Sequence, residues 1–204
     1  MNYSQNNEQQ VIQEYFGSRT GNFLSIGEND GETLSNVRAL ALSGWSGVCF
    51  EPDPEPFKRL EDLYKGSQVL CYNMAIADKS GTLPFWASGS HLKKGDVGLL
   101  GTLKEMEIER WKGTEEFEPI EVECITWKEF YKGCDCGPFQ FVSIDAEGMD
   151  LEILHQMDLK EMGVELLCIE WNNVQAVKSE ISKICKAAGM RLIHVNFENL
   201  IYGI

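Results

Sequence analysis

The chain has 204 residues, 43% hydrophobic and 25% charged, proportions that suit one globular domain with its own core. Its formal net charge of −14 repels a phosphate backbone, which disfavours nucleic acids and anionic membranes as partners. No long apolar span and no signal-like amino terminus occur, so a cytoplasmic protein is expected, and seven scattered cysteines fit reduced thiols better than a disulfide framework.

The opening MNYSQNNEQQ is polar and predicts a frayed start. Val11, Ile12, Tyr15 and Phe16 then recur at helical spacing, so residues 8–16 read as a short helix within an extension that covers 1–22. An apolar strand, 23–26, leads into a turn punctuated by Gly27 and Gly31. Residues 31–43 read as a helix with Leu34, Val37, Leu40 and Ala41 inward and Gly44 at its end. Strand, glycine turn and helix in that order aim free N–H groups over the strand's carboxyl end, a place for an anionic or polar ligand group. A dinucleotide fingerprint would want further glycines where Asn29 and Glu32 stand. Asn29 instead tolerates a left-handed backbone, and Asp30 is placed to cap the helix.

A second strand, 47–50, ends at Glu51, 24 residues beyond Gly27, where a carboxylate can accept both hydroxyls of a ribose. Asp53 and Pro54 start a helix with Phe57, Leu60 and Leu63 inward and Gly66 as its stop. Residues 69–72 read as the third strand, 78–81 as a turn and 82–86 as a further short strand. Strands alternating with helices favour a parallel sheet with right-handed crossovers. Residues 88–118 carry Gly89, Gly95, Gly98 and Gly101 in their first half, then an amphipathic helical pattern over 103–112 through Leu103, Met106 and Trp111. Such a segment reads equally as a substrate lid, with His91, Lys93 and Lys94 as polar contacts, or as an insertion that never touches substrate.

Residues 120–125 alternate like a half-buried strand and 127–131 like one or two helical turns. Cys134 and Cys136 lack a second pair at ligand spacing, so they read as a loop carrying two thiols. Residues 139–144 are almost wholly apolar, as in a central strand buried on both faces, and deliver Asp145 to its carboxyl end. Asp145 and Glu147 raise each other's proton affinity if both face one cavity, which suits a general base. The plainer alternative has Asp145 anchoring a cofactor or loop while Glu147 caps the next helix. That helix turns Leu151, Leu154 and Met157 inward and leaves His155 on the surface. The strand 166–170 ends at Glu170, which with Trp171 and Asn172 can wall the substrate side. A long helix from Val174 runs through Val177, Ile181, Ile184, Cys185 and Ala188 to Gly189. Two strands, 190–196 and 199–202, close the chain as a hairpin around Phe197 and Glu198, with His194 packed in the sheet.

Four blocks, SIGENDGET, FEPDPEPFKRL, YNMAIADKSGTL and FVSIDAEGMDLEIL, stand in the order of the motif series of the FkbM family of S-adenosylmethionine-dependent methyltransferases, which residues 23–203 resemble. The IDAEG block is the most specific of them. The resemblance implies an α/β, Rossmann-like class I methyltransferase fold over 23–204: a mostly parallel central sheet, helices on both faces and a C-terminal antiparallel hairpin. It implies S-adenosylmethionine as cofactor, with Gly27, Asn29 and Gly31 around the methionine portion, Glu51 on the ribose and Asn73, Met74 and Ala75 near the adenine. Thr33 and Pro52 join that binding set, and Asp145 or Glu147 faces the reacting centre. Ser25 stands where the family often has an acid, so a bond to the cofactor's amino group is either missing or supplied by Glu28. The implied reaction is O-methylation of a small-molecule or glycan acceptor, a sugar or natural-product hydroxyl. No metal requirement is expected, although Asp145, Glu147 and Asp150 offer oxygen ligands. Two other classes fit the same residues: a nicotinamide-dependent oxidoreductase, and a binding protein that keeps the fold without catalysis.

Overall fold

The computed structural model describes residues 1–204. Helix α1 (Glu8–Phe16) buries Ile12 and Phe16, strand β1 (Asn22–Ile26) follows, and Gly27 and Gly31, both at positive φ, turn the chain towards α2 (Arg38–Leu42). The helix expected over 31–43 is therefore only five residues long. Local side-chain bonds outcompete its first turns: Asp30 Oδ1 accepts the N–H groups of Glu32 and Thr33, and Leu34 sits at φ 58°. Ser35 Oγ then accepts from the Val37 and Arg38 amides, and the helical turns begin there.

Strand β2 (Ser46–Phe50) leads to α3 (Pro54–Tyr64), started as expected by Asp53, whose Oδ1 accepts the Glu55 N–H at 2.9 Å. There follow β3 (Val69–Tyr72), β4 (Ala75–Ala77), β5 (Gly81–Ser88), α4 (Glu105–Arg110), β6 (Phe117–Thr126) and α5 (Trp127–Gly133). Then come β7 (Phe141–Ile144), α6 (Asp150–Leu154), β8 (Leu166–Glu170), α7 (Gln175–Ala187), β9 (Arg191–Val195) and β10 (Asn199–Gly203).

Seven strands form the main sheet in the order β3-β2-β1-β7-β8-β10-β9. The first five run parallel, and β10 pairs antiparallel with both β8 and β9. Period-two alternation sends successive side chains to opposite faces. Leu24 and Ile26 join one apolar cluster with Ile153, Leu154, Ile181 and Cys185, whereas Phe23 joins a second with Ile12, Phe16, Leu40 and Leu60. Helices α1, α2 and α3 thus cover one face, and α5, α6 and α7 the other. Register matters most for function: Ile26 lies opposite Phe50 and Ile144, and Ile144 opposite Ile169. Gly27, Glu51, Asp145 and Glu170 consequently leave the sheet along one edge.

A second sheet, β4-β6-β5, was not legible from the pattern; β4 pairs parallel with β6, and β5 antiparallel with it from Gly81–Cys124 to Ser88–Phe117. The long β5–β6 hairpin carries the insertion at its tip. The helical pattern in that insertion yields only the six-residue α4, which buries none of its residues, and Met106 is 73% exposed.

Two further expectations are corrected. The amino terminus is not frayed: Ser4 is buried and bridges to Leu34, and fully buried Glu8 accepts from the Asn6 amide and from the Asn196 and Asn199 side chains. Cys134 and Cys136 are joined as a disulfide across one residue, leaving five free cysteines. No helix is long and apolar enough to cross a membrane.

Candidate active site

A cavity of about 230 Å³ lies over the carboxyl edge of β1, β2, β7 and β8. Its floor is the row of strand-end residues, and its roof is the insertion, which contributes His91, Leu92, residues 98–101, Arg110 and Trp111. The amino terminus reaches it through Gln5, and the hairpin turn through Phe197 and Glu198. No local signal in the sequence marks these last three.

The glycine turn is locked to its neighbours. The amides of Gly27 and Glu28 both donate to the Phe50 carbonyl at 3.0 Å. Gly27 has φ 78°, and a Cβ there would stand 1.7 Å from the Asp145 carbonyl oxygen, so only glycine allows the two strand ends to approach. Asn29 takes the left-handed φ of 54° expected of it and donates its amide to Glu51 Oε2 at 2.9 Å, while Asp53 donates to Glu51 Oε1 at 2.8 Å. Burial pushes Glu51 up to about 8 against the pull of those two amides. Glu28 is buried as well, its two oxygens accepting from Ser25 Oγ and Ser35 Oγ at 2.5 Å each, and burial pushes it up to about 7. Both of its oxygens are thereby engaged within the chain.

Of the residues expected around the cofactor, Gly27, Glu28, Asn29, Thr33, Glu51, Pro52, Met74, Ala75 and Asp145 line the cavity. Gly31 and Asn73 do not. Gly31 packs behind the turn, where a Cβ would stand 2.7 Å from Leu60 Cδ1, and Asn73 Nδ2 donates to the Glu51 and Pro52 carbonyls at 2.9 and 3.0 Å. Each therefore shapes the loops that border the cavity.

On the opposite side, Asp145 and Glu147 both line the cavity. Burial, then Asp150, pushes Asp145 up to about 7; burial, then Asp145, raises Glu147 well above the usual carboxylate range. The helix-start role considered for Glu147 falls to Asp150, whose oxygens accept from the Ala146 and Gly148 amides at 2.8 and 3.1 Å. Glu147 sits at φ 42° and its carbonyl accepts from Thr102 Oγ1 at 2.7 Å, a bond that ties the insertion to the loop after β7. Arg110, on α4, donates to Glu107 Oε2 and Asn172 Oδ1 at 3.1 Å each and so spans from insertion to the loop after β8.

A family model described as the methyltransferase FkbM domain matches residues 25–191. The chain belongs to the FkbM methyltransferase family. As a member it is an S-adenosylmethionine-dependent methyltransferase, and two features of its cavity fit that cofactor: a glycine turn lining it after β1, and a buried acid lining it at the end of β2. No curated protein sequence matches the chain. Among solved structures, the ribosomal protein L11 methylase from Lactobacillus delbrueckii subsp. bulgaricus is similar at TM-score 0.50 and 9% identity, over 96% of this chain and 76% of that one. Precorrin-6y C5,15-methyltransferase from Geobacter metallireducens GS-15 aligns at TM-score 0.47 and 9% identity, over 96% and 85% of the two chains. The Methanococcus jannaschii fibrillarin pre-rRNA processing protein aligns at 0.48 and 11%, over 98% and 76%. At such identity the first likeness speaks to the fold alone, and it is the class I methyltransferase fold.

Proposed function

We propose that this FkbM-family chain acts in the cytoplasm and transfers a methyl group to a hydroxyl of a sugar or natural-product acceptor. The observation that carries the reading is the row of Gly27, Glu51 and Asp145 along one sheet edge beneath a cavity roofed by the insertion. Bound there, S-adenosylmethionine supplies a methyl group that its sulfonium already makes electrophilic. The chain's own residues then have three tasks: to position donor and acceptor in line, to exclude water and to take a proton.

Gly27, Glu28, Asn29 and Thr33 border the methionine portion, with Gly31 behind them. Glu51 accepts the ribose hydroxyls with the lone pairs that Asn29 and Asp53 leave free, and Pro52, Met74 and Ala75 flank the adenine while Asn73 holds that loop. Asp145 and Glu147 face the acceptor, and a carboxylate whose proton affinity is raised to near neutrality suits the removal of a hydroxyl proton. Residues 88–118 act as the acceptor lid. Leu92, Leu99, Leu100 and Trp111 give its underside an apolar face, and His91 and Arg110 add polar contacts. Lys93 and Lys94 are exposed and do not line the cavity, so they leave the set expected to touch acceptor.

The test has two parts. Titration with S-adenosylhomocysteine and with NADH separates methyltransferase from oxidoreductase; binding of NADH alone would overturn the assignment. Incubation with labelled S-adenosylmethionine and a panel of hydroxylated glycans and natural products, each paired with its hydroxyl-blocked form, is expected to label only unblocked acceptors. Cofactor binding with no labelled product across the panel would favour the non-catalytic binding protein.

A further inference from the structure

The site just described leaves one group of side chains without a task that satisfies them. Asp145 and Glu170 leave adjacent parallel strands at the same level, since Ile144 and Ile169 are register partners, and Asp150 turns back towards them from the first residue of α6. One oxygen from each of the three carboxyl groups lies within 4.8 Å of the others. That is the span of oxygens arranged around a single ion whose ligand distances are roughly 2.1–2.4 Å.

A separate observation shows that the group wants a partner. Glu170 is 6% exposed, and its Oε2 is buried with no hydrogen-bond donor. The charges that bear on it are chiefly Glu147, Asp145 and Asp150, all acidic. The nearby cation, Arg110, is committed to Glu107 and Asn172 and forms no ion pair with any of the three. A buried carboxylate with neither donor nor counter-charge is costly, and coordination to a cation is one way a fold relieves that cost.

We propose that Asp145, Asp150 and Glu170 bind one divalent, oxygen-preferring cation, such as Mg²⁺ or Mn²⁺, at the acceptor end of the cavity. The ligand set contains only carboxylates, which selects hard cations over zinc or copper. Asp150 keeps lone pairs for the ion beyond those that accept from Ala146 and Gly148. Three protein ligands leave further coordination positions open on the cavity side, where water or an acceptor oxygen fits. The site departs from the expectation of no metal, and Glu170, not Glu147, completes it. It deepens the proposed function by placing a cation at the acceptor end of the cavity and making Asp145 one of its ligands.

The test uses the full chain, stripped with chelator and titrated with MnCl₂ while free Mn²⁺ is followed by electron paramagnetic resonance; Mg²⁺ then competes. One equivalent is expected to bind, with affinity reduced at least tenfold in Glu170→Gln and Asp150→Asn and unchanged in Glu61→Gln, an exposed acid on α3. Circular dichroism on each variant confirms folding, and S-adenosylhomocysteine titration on the same samples keeps the two readings apart. Mn²⁺ bound equally well by Glu170→Gln, or no stoichiometric binding by a wild-type chain that binds S-adenosylhomocysteine, overturns the metal site alone. Stoichiometric Mn²⁺ without S-adenosylhomocysteine binding overturns the cofactor reading and leaves the metal site standing.

Discussion

Gly27→Ala isolates the contact on which the site's floor depends. An alanine at φ 78° bears the left-handed penalty of about 1–2 kcal/mol. Its Cβ would also lie 1.7 Å from the Asp145 carbonyl oxygen, so the ends of β1 and β7 must part by about 1.5 Å or more to reach van der Waals separation. Forced repacking of this kind costs about 1–3 kcal/mol, and the movement strains the bond from the Asp145 amide to the Ile26 carbonyl, worth about 1 kcal/mol. The sum is about 3–6 kcal/mol, a large share of a domain's usual stability. Gly44→Ala is the control: its φ of 91° carries the same conformational penalty, yet a Cβ there meets nothing within 4 Å. Equilibrium urea unfolding should show Gly27→Ala less stable than Gly44→Ala by about 2 kcal/mol or more. Calorimetric titration should show S-adenosylhomocysteine affinity reduced at least tenfold in the first and unchanged in the second. Equal stability losses, or wild-type affinity in Gly27→Ala, would refute the role given to that contact.

Three other perturbations test separate parts of the structure. Glu51→Ala should weaken S-adenosylhomocysteine by about 1.5–3 kcal/mol through lost charge-assisted bonds, and an unchanged dissociation constant would show that the carboxylate serves only the Asn29 and Asp53 amides. Burial raises the folded-state values of Glu28 and Glu51 from 4.5 to about 7 and 8, so the folded chain holds more protons than the unfolded one between those limits. Their contribution to the stability of the ligand-free protein is therefore full below pH 4.5 and falls as pH rises towards 8, by about 1.4 kcal/mol per unit for each group while it titrates. Urea midpoints at pH 6 and 8.5 should show that fall, and Glu51→Gln should lessen it while leaving the Glu28 part; a midpoint that rises with pH contradicts the assignment. Thr102→Val removes the hydroxyl that donates to the Glu147 carbonyl and accepts from the Lys104 amide, and should speed proteolytic cleavage within residues 89–116 at little change in far-ultraviolet circular dichroism. Cleavage at the wild-type rate would mean the insertion is held by other contacts.

Much of this was legible locally. The helix at Glu8–Phe16, the strands at Val69–Tyr72 and Leu166–Glu170 and the closing hairpin follow from periodicity or unbroken apolar runs. Where residues 31–43 misled, an apolar stripe at helical spacing lost to short-range bonds from Asp30 and Ser35, whose side chains compete with the helix for its own amides. Gly31 and Asn73 misled in another way. Their places in the motif series are right beside the cavity, but one is turned against α3 and the other towards the main chain of residues 51–52.

The amino-acid order by itself determined the elements that carry chemistry: a glycine turn after β1, an acid closing β2, β7 and β8, and a family signature strong enough to imply the methyl donor. Such features depend on neighbours a few residues apart, and local patterning suffices for them. Tertiary structure alone decided that the β5–β6 hairpin lifts the insertion over the sheet edge, that Gln5 joins the cavity wall, and that Asp150 and Glu170 converge with Asp145. Those depend on strand register and on pairing between segments far apart in the chain, where the gain comes from a shared core that no single stretch of residues encodes.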